Sequence, residues 1–318
     1  MNDSVSRLER SILSGRALHA YLLTGPDPAE TEHTARCASS LLLYSYEDIP
    51  RLENDPDYME YGGAISISEF RDVIRPEIYR ETYGKRGRAV VFRSASALSE
   101  MVQNAMLKVL EEPPENTFFF LTGNEYGILP TIRSRCMTVR CALPEIKELV
   151  SLLEEKGVTH DDARFYAAAG GCVTARALRL ASDEDFREMR QGVLKGFLLA
   201  LNAAPDFKFS KTKREKADLI EANEFLLLAA HDMLNILCGQ SADHCTDLTA
   251  ELKTLCSRFT IREISCIINE LTENAERLRT NAPGGASFDR LFARIAEIGL
   301  SAKRSANIKK DKPGSIHK

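Results

Sequence analysis

Short runs of consecutive apolar residues constrain this chain more than any other feature. His19-Ala20-Tyr21-Leu22-Leu23-Thr24 ends at Gly25-Pro26, Arg88-Ala89-Val90-Val91-Phe92 is a second, and Thr117-Phe118-Phe119-Phe120-Leu121-Thr122 stops at Gly123. Met137-Thr138-Val139-Arg140 is a shorter fourth, and residues 57–61 are a further candidate. A strand with one wet face alternates apolar and polar residues. Runs that are apolar on both faces suit parallel strands buried between helices.

The segments between these runs carry helix signals. Ser66-Ile67-Ser68-Glu69 matches a capping box, with Ile65 and Phe70 at the staple positions. Phe70, Val73, Ile74 and Ile78 then recur at three- and four-residue steps and predict one apolar face. Leu98, Met101, Val102, Ala105, Met106, Val109 and Leu110 predict a second core-packing stripe, ended by Pro113-Pro114. Strands alternating with helices predict a doubly wound α/β domain over residues 1–142.

Beyond Leu143-Pro144 the pattern is helical. Residues 145–156, 161–169 and 175–181 predict a small helical unit spanning 143–182. Residues 193–201, 216–238, 261–280 and 287–300 predict a larger helical domain over 183–302, with a break at Asn281-Ala282-Pro283-Gly284-Gly285. Residues 303–318 hold six Lys/Arg and one acid and read as a solvated, disordered basic tail. A weak electrostatic role of that tail on nucleic acid is the sharper alternative.

With 318 residues, 44% apolar and 28% charged, the chain can bury two or three cores. No run approaches the roughly 18 apolar residues of a membrane span. The polar start, residues 1–10, lacks the apolar core of a secretory signal, so a cytoplasmic location is expected. The net charge of −4 argues against strong DNA binding through overall charge. None of the eight cysteines sits in a C-x-x-C pair. Buried free thiols are expected, with neither a disulfide framework nor a zinc site.

The first strand is followed by Gly25, where a phosphate loop G-x-x-x-x-G-K-[ST] would start. The stretch is Gly25-Pro26-Asp27-Pro28-Ala29-Glu30-Thr31-Glu32. Only the first glycine is kept. Glu30 replaces the second glycine, Thr31 the lysine and Glu32 the hydroxyl residue. Pro28 removes a backbone donor, and Asp27, Glu30 and Glu32 put carboxylates where phosphate would be drawn to a helix N-terminus. The strand ending at Phe92 is followed by Arg93-Ser94-Ala95, with no acid to organise magnesium. No cofactor and no metal are expected at this loop.

Four landmarks then occur in order. Leu18 to Pro26 resembles the opening strand of bacterial clamp-loader subunits. Asn104-Ala105-Met106-Leu107-Lys108-Val109-Leu110-Glu111-Glu112-Pro113-Pro114 is similar to their N-A-x-L-K-x-L-E-E-P-P helix. Thr117 to Thr122 is similar to the strand that follows it. Leu129-Pro130-Thr131-Ile132-Arg133-Ser134-Arg135-Cys136 is similar to their L-P-T-I-x-S-R-C segment. The chain thus resembles the DNA polymerase III clamp-loader family of AAA+ type, on the side of members without an intact phosphate loop. The resemblance covers residues 8–143 and fades beyond the small helical unit. The four-cysteine zinc module of many members is missing, since only Cys37 lies in that region. The second-sensor position stays unassigned.

The resemblance implies an AAA+-type sheet domain, a small helical lid and an all-α collar for oligomerisation. It implies Arg135 as a trans-acting arginine finger reaching a neighbour's ATP site, with Arg133 as competitor. A guanidinium is planar and always charged, so it suits that task. Ser134 and Cys136 would shape the turn, and Thr122 would stand at the first-sensor place. His19 would be a hydrogen-bonded structural histidine. The implied role is non-catalytic, without ATPase or polymerase activity of its own. The implied partners are gamma/tau-like motor subunits, a delta-like subunit, the sliding clamp and primed DNA. The rival readings are a divergent AAA+ ATPase in DNA replication or repair and a sequence-reading DNA-binding protein. The pI near 6.0 and the lack of a basic recognition helix weigh against the last.

Overall fold

In a computed structural model of the chain, residues 3–204, 215–279 and 284–310 are described. The chain divides into two compact units. The first comprises residues 1–144 with Val173–Ala175, and the second comprises 145–172 and 176–318.

The first unit runs α1 (Asp3–Leu13), β1 (Ala20–Thr24), α2 (Pro28–Tyr44), α3 (Ile49–Leu52), β2 (Tyr58–Tyr61), α4 (Ile67–Glu69), α5 (Arg75–Ile78), β3 (Arg88–Phe92), α6 (Glu100–Glu111), β4 (Thr117–Thr122), α7 (Pro130–Arg133) and β5 (Met137–Arg140). All four strand pairings are parallel, in the order β2-β3-β4-β1-β5. Leu22 sits opposite Leu121 on one side and Thr138 on the other. Alternate residues of the strands feed two cores. Leu22, Val90, Phe92, Phe119 and Leu121 face Phe70, Ile74, Val102 and Met106. Tyr21, Leu23, Ala89, Val91, Phe120 and Val139 face Leu8, Ile12, Ala35, Ala38 and Leu42. This is the double cover that strands apolar on both faces require.

Local signals are obeyed with instructive departures. At the Ser66 capping box, Glu69 N–H donates to Ser66 Oγ at 3.1 Å and Ser66 N–H to Glu69 Oε2 at 3.3 Å. The helix behind it is not regular. Phe70–Ile74 form a π-helical turn before Pro76. Phe70, Ile74 and Ile78 are buried, while Val73 is 52% exposed and lies off the apolar face. A π turn fits the chain ahead of a proline, which cannot continue the α ladder. On α6, Val102, Met106, Val109 and Leu110 are buried, but Met101 is 65% exposed and does not join the core stripe. Gln103 is buried in its stead. His19 is exposed, and its carbonyl accepts from Phe119 N–H at 2.8 Å.

The second unit is helical: α8 (Ile146–Glu155), α9 (His160–Ala169), α10 (Thr174–Ser182), α11 (Glu184–Leu201), α12 (Lys216–Leu237), α13 (Thr249–Cys256), α14 (Ile261–Arg279) and α15 (Gly284–Lys310). Thr174 and Ala175, the first residues of α10, count with the first unit. A small core of Leu149, Leu153, Ala163, Ala167 and Ala177 stands apart from a larger one built on Phe186, Phe197, Phe225, Ile267, Leu271 and Phe292. Several buried polar groups in the larger part are engaged. Asp232 accepts from the N–H groups of Asp243, His244 and Cys245. Asn223, Asn274 and Ser287 link α12, α14 and α15 through bonds of 2.8 and 2.6 Å.

The expected break at 281–285 lies partly outside the described residues, and Gly284 and Gly285 open α15. The tail expected to be disordered from residue 303 begins as helix, since α15 runs to Lys310. Residues 311–318 lie outside the described residues. Four cysteines are buried, Cys136 and Cys172 are half-buried, and Cys238 and Cys266 are exposed, so the expectation of buried thiols holds only in part. Among the described residues no helix is long and apolar enough to cross a membrane.

Candidate functional site

Between β1 and α2 lie only Gly25, Pro26 and Asp27, because helix starts at Pro28. Proline at the first helical position and aspartate at the N-cap are the expected initiators. Asp27 has extended backbone, and its Oδ1 accepts from Ala29 N–H at 3.0 Å. Its Oδ2 accepts from Thr174 N–H at 2.7 Å, in the Val173–Ala175 segment of the same unit. The side chain has no exposed surface. Gly25 is held by close packing, since a Cβ there would lie 2.8 Å from the carbonyl oxygen of Cys141.

The remaining loop residues are spent locally. Thr31, at the lysine's place, is 2% exposed, and its hydroxyl donates to Pro28 O at 2.8 Å. Glu32, at the hydroxyl residue's place, pairs with Arg93 at 3.6 Å. Arg93 stands where the magnesium-organising acid would follow β3, and its Nε lies 2.8 Å from Glu60 on β2. Gly62 makes room, because a Cβ there would lie 2.9 Å from the Arg93 guanidinium. Arg36 completes the cluster with two bonds to Glu60, at 3.0 and 2.7 Å, and the Tyr58 hydroxyl donates to the same carboxylate. Burial pushes the Glu60 carboxyl up, but hydrogen bonds from Arg36 and Tyr58 and the charges of Arg36 and Arg93 outweigh it and hold it below its usual range. In this cluster a cation stands in the place of the magnesium-organising acid and a carboxylate in that of the hydroxyl residue. Thr122, at the sensor place, is 1% exposed and accepts from Ser94 N–H at 3.0 Å.

The Ser134-Arg135-Cys136 turn is built from beneath. Ile132 is fully buried and Cys136 packs against the same core. Ser134 Oγ donates to Thr131 O at 2.9 Å, and Arg135 N–H to Ile132 O at 2.9 Å. Gln103 fixes the segment leading into α7. Its amide donates to Leu98 O and Gly127 O, both at 3.0 Å, and its carbonyl accepts from Leu129 N–H at 2.9 Å. Burial pushes the Cys136 thiol up to about 12, which removes it as a nucleophile at neutral pH.

The Arg135 side chain is 35% exposed. Its Nη2 lies 2.5 Å from Glu111 Oε1, and its Nη1 donates to Thr131 O at 2.8 Å and Ser134 Oγ at 3.3 Å. Glu111 belongs to the Glu111-Glu112-Pro113-Pro114 end of α6. Arg133 is half-buried and lies 3.8 Å from Glu125, a looser partnership.

Sequence reasoning missed Glu60, Arg36, Gln103 and Glu111 as parts of these clusters. Arg36 and Glu60 are 24 residues apart, and no local pattern links them. Gln103 had a signal, a polar residue beside an apolar stripe. The unassigned second sensor finds no free arginine in Arg176 on α10. That residue is 8% exposed, bonded to Glu221 at 2.5 Å and to Gly170 O at 3.0 Å, with Phe225 5.8 Å beneath it. Among the described residues no group of three or more His, Cys, Asp or Glu is placed to hold a metal.

Residues 1–145 match the family described as DNA polymerase III, delta subunit. The chain is 28% identical over 217 residues to DNA polymerase III subunit delta' of Pseudomonas aeruginosa, covering 58% of this chain and 63% of that protein. It is 30% identical over 148 residues to the delta' subunit of Haemophilus influenzae, covering 45% of each. It is 29% identical over 181 residues to DNA polymerase III subunit gamma/tau of Mycobacterium tuberculosis, covering 48% of this chain and 30% of that protein. These matches span less than two thirds of each relative's length. Among solved structures, a DNA polymerase III gamma subunit-related protein of Thermotoga maritima aligns at TM-score 0.43 and 16% identity, over 93% of this chain and 100% of that one. The five-stranded parallel sheet followed by an all-helical stretch is the order of fold classes expected above. Over residues 1–145 the chain is thus similar to the DNA polymerase III delta family, and in part of its length to delta' subunits.

Proposed function

We propose that the chain is a non-catalytic wall of a clamp loader, without ATPase activity of its own, and that it lends Arg135 to the ATP site of a neighbouring motor subunit. The observation that carries this reading is the filled phosphate loop. Asp27 takes up the Ala29 N–H at the start of α2 and the Thr174 N–H of α10, Thr31 is turned inward, and Glu32 and Arg93 pair where magnesium would be held. The part-exposed position of Arg135, on a turn held by local hydrogen bonds, agrees with the second half of the reading. Its bonds in the free chain are local and partly exposed, so a phosphate oxygen can displace the Glu111 carboxylate at little cost.

In this reading the motor partners are of gamma/tau type, a delta-type subunit opens the clamp, and primed DNA is the substrate of the whole assembly. The chain acts in the cytoplasm. Residues 143–182 serve as lid and 183–302 as the collar that holds the ring. The test is reconstitution from purified subunits, with and without this chain. With it, a stable ring forms and clamps are loaded onto primed DNA. Equal loading in its absence would remove the chain from the mechanism.

A further inference from the structure

We infer that Asp27 is a built-in anion that takes the place of a nucleotide phosphate and pins the Val173–Ala175 segment to the sheet unit without any ligand. The inference rests on the reading that this chain takes no nucleotide, and it goes further by assigning the loop a present task.

Four observations carry it. The Asp27 carboxylate has no exposed surface, and burial of such a group is tolerated only when it is bonded. Its two oxygens divide between two backbone donors, Ala29 N–H and Thr174 N–H. Both donors lie in the first turns of helices, α2 and α10, where N–H groups lack intrahelical partners and attract anions. These two residues are 145 positions apart, so the carboxylate is the cross-link that a phosphate between two such ends would otherwise provide. An N-cap serving only its own helix needs one oxygen and stays near the surface. The second oxygen, turned to Thr174 and fully buried, is what a simple cap does not explain.

The consequence is a segment whose attachment does not respond to ATP or ADP.

The experiment is amide hydrogen exchange at Thr174 in the full chain, comparing wild type, Asp27→Ala and Asp27→Asn, with and without inorganic phosphate and magnesium ATP. In wild type the Thr174 amide is protected, and neither addition changes it. In Asp27→Ala it exchanges on the order of ten- to hundredfold faster, as expected for loss of a charge-assisted bond. Inorganic phosphate at tens of millimolar then restores protection in this variant alone, by occupying the vacated donors. If Asp27→Ala does not fold, Asp27→Asn keeps one acceptor oxygen and is read by the same faster exchange. Unchanged exchange in the variants would overturn the inference. So would a loss that phosphate never restores but asparagine fully does, since Asp27 would then be a neutral cap. Protection of the wild-type amide by magnesium ATP would instead overturn the nucleotide-free reading beneath it.

Discussion

An Arg135→Ala chain is expected to enter the reconstituted clamp loader as wild type does and to leave one ATP site without its finger. Hydrolysis at the site that this subunit faces should fall by on the order of 10³ or more, the range of a trans-acting guanidinium on developing phosphoryl charge. The DNA-stimulated steady-state rate should fall with it. Assembly should survive because Arg135 contributes little to its own fold. Its ion pair with Glu111 is 35% and 46% exposed on the two sides, so its loss costs within about 1 kcal/mol. Arg135→Lys should not restore the rate, because an ammonium cannot fork onto two phosphate oxygens. Arg133→Ala should leave hydrolysis close to wild type, since Arg133 is turned toward Glu125.

The second large effect concerns stability. Arg88 opens β3 and is 1% exposed. Its Nη1 donates to the carbonyls of Glu77, Ile78 and Arg80 at 3.1, 3.0 and 2.8 Å, and its Nη2 to that of Glu81 at 3.1 Å. It also meets Asp57, 4% exposed, at 3.4 Å. These carbonyls lie at and just past the C-terminal end of α5, where intrahelical donors run out; that of Glu77 also accepts from Arg80 N–H at 3.1 Å. Arg88→Ala would take the guanidinium from all four carbonyls, of which Glu77 keeps a backbone donor, and leave the Asp57 carboxylate with the N–H groups of Tyr83 and Gly84. The expected cost is about 3–5 kcal/mol, read as a fall in Tm of roughly 10 °C. Arg88→Lys should recover less than half, because one ammonium cannot span four acceptors. A thermal melt within 1–2 °C of wild type, on the scale of an ordinary surface change, would show that the cluster is dispensable.

Arg88 also marks where legibility in the sequence stops. It stood at the start of an apolar run, and its character told only that a strand begins there. Its partners come from residues 57 and 77–81, which the fold brings to it. The strands themselves were legible because burial on both faces leaves a local mark, and the capping box at Ser66 because its two bonds span three residues. Val73 was misplaced because the π turn at Phe70–Ile74 changes the phase that a 3.6-residue period assumes. The first helix went unnoticed although Val5, Leu8 and Ile12 recur at three- and four-residue steps, because the short stripe lies among polar residues at the start of the chain. At the candidate site, Thr31, Glu32 and Arg93 were readable as losses. What replaced the lost pocket was not, since the pairs Glu32–Arg93, Arg36–Glu60 and Asp27–Thr174 all join residues distant in sequence. Arg135 was singled out by its motif, while its tether to Glu111 required the fold.

In the proposed function the loop after β1 takes no nucleotide, and Arg135 acts at the site of another subunit. Calorimetric titration of the isolated chain with magnesium ATP tests it most directly. The account predicts no binding up to about 1 mM nucleotide, where even a weak site of −4 kcal/mol would register. Saturable binding with micromolar affinity, lost in a Thr31 or Glu32 variant, would contradict it.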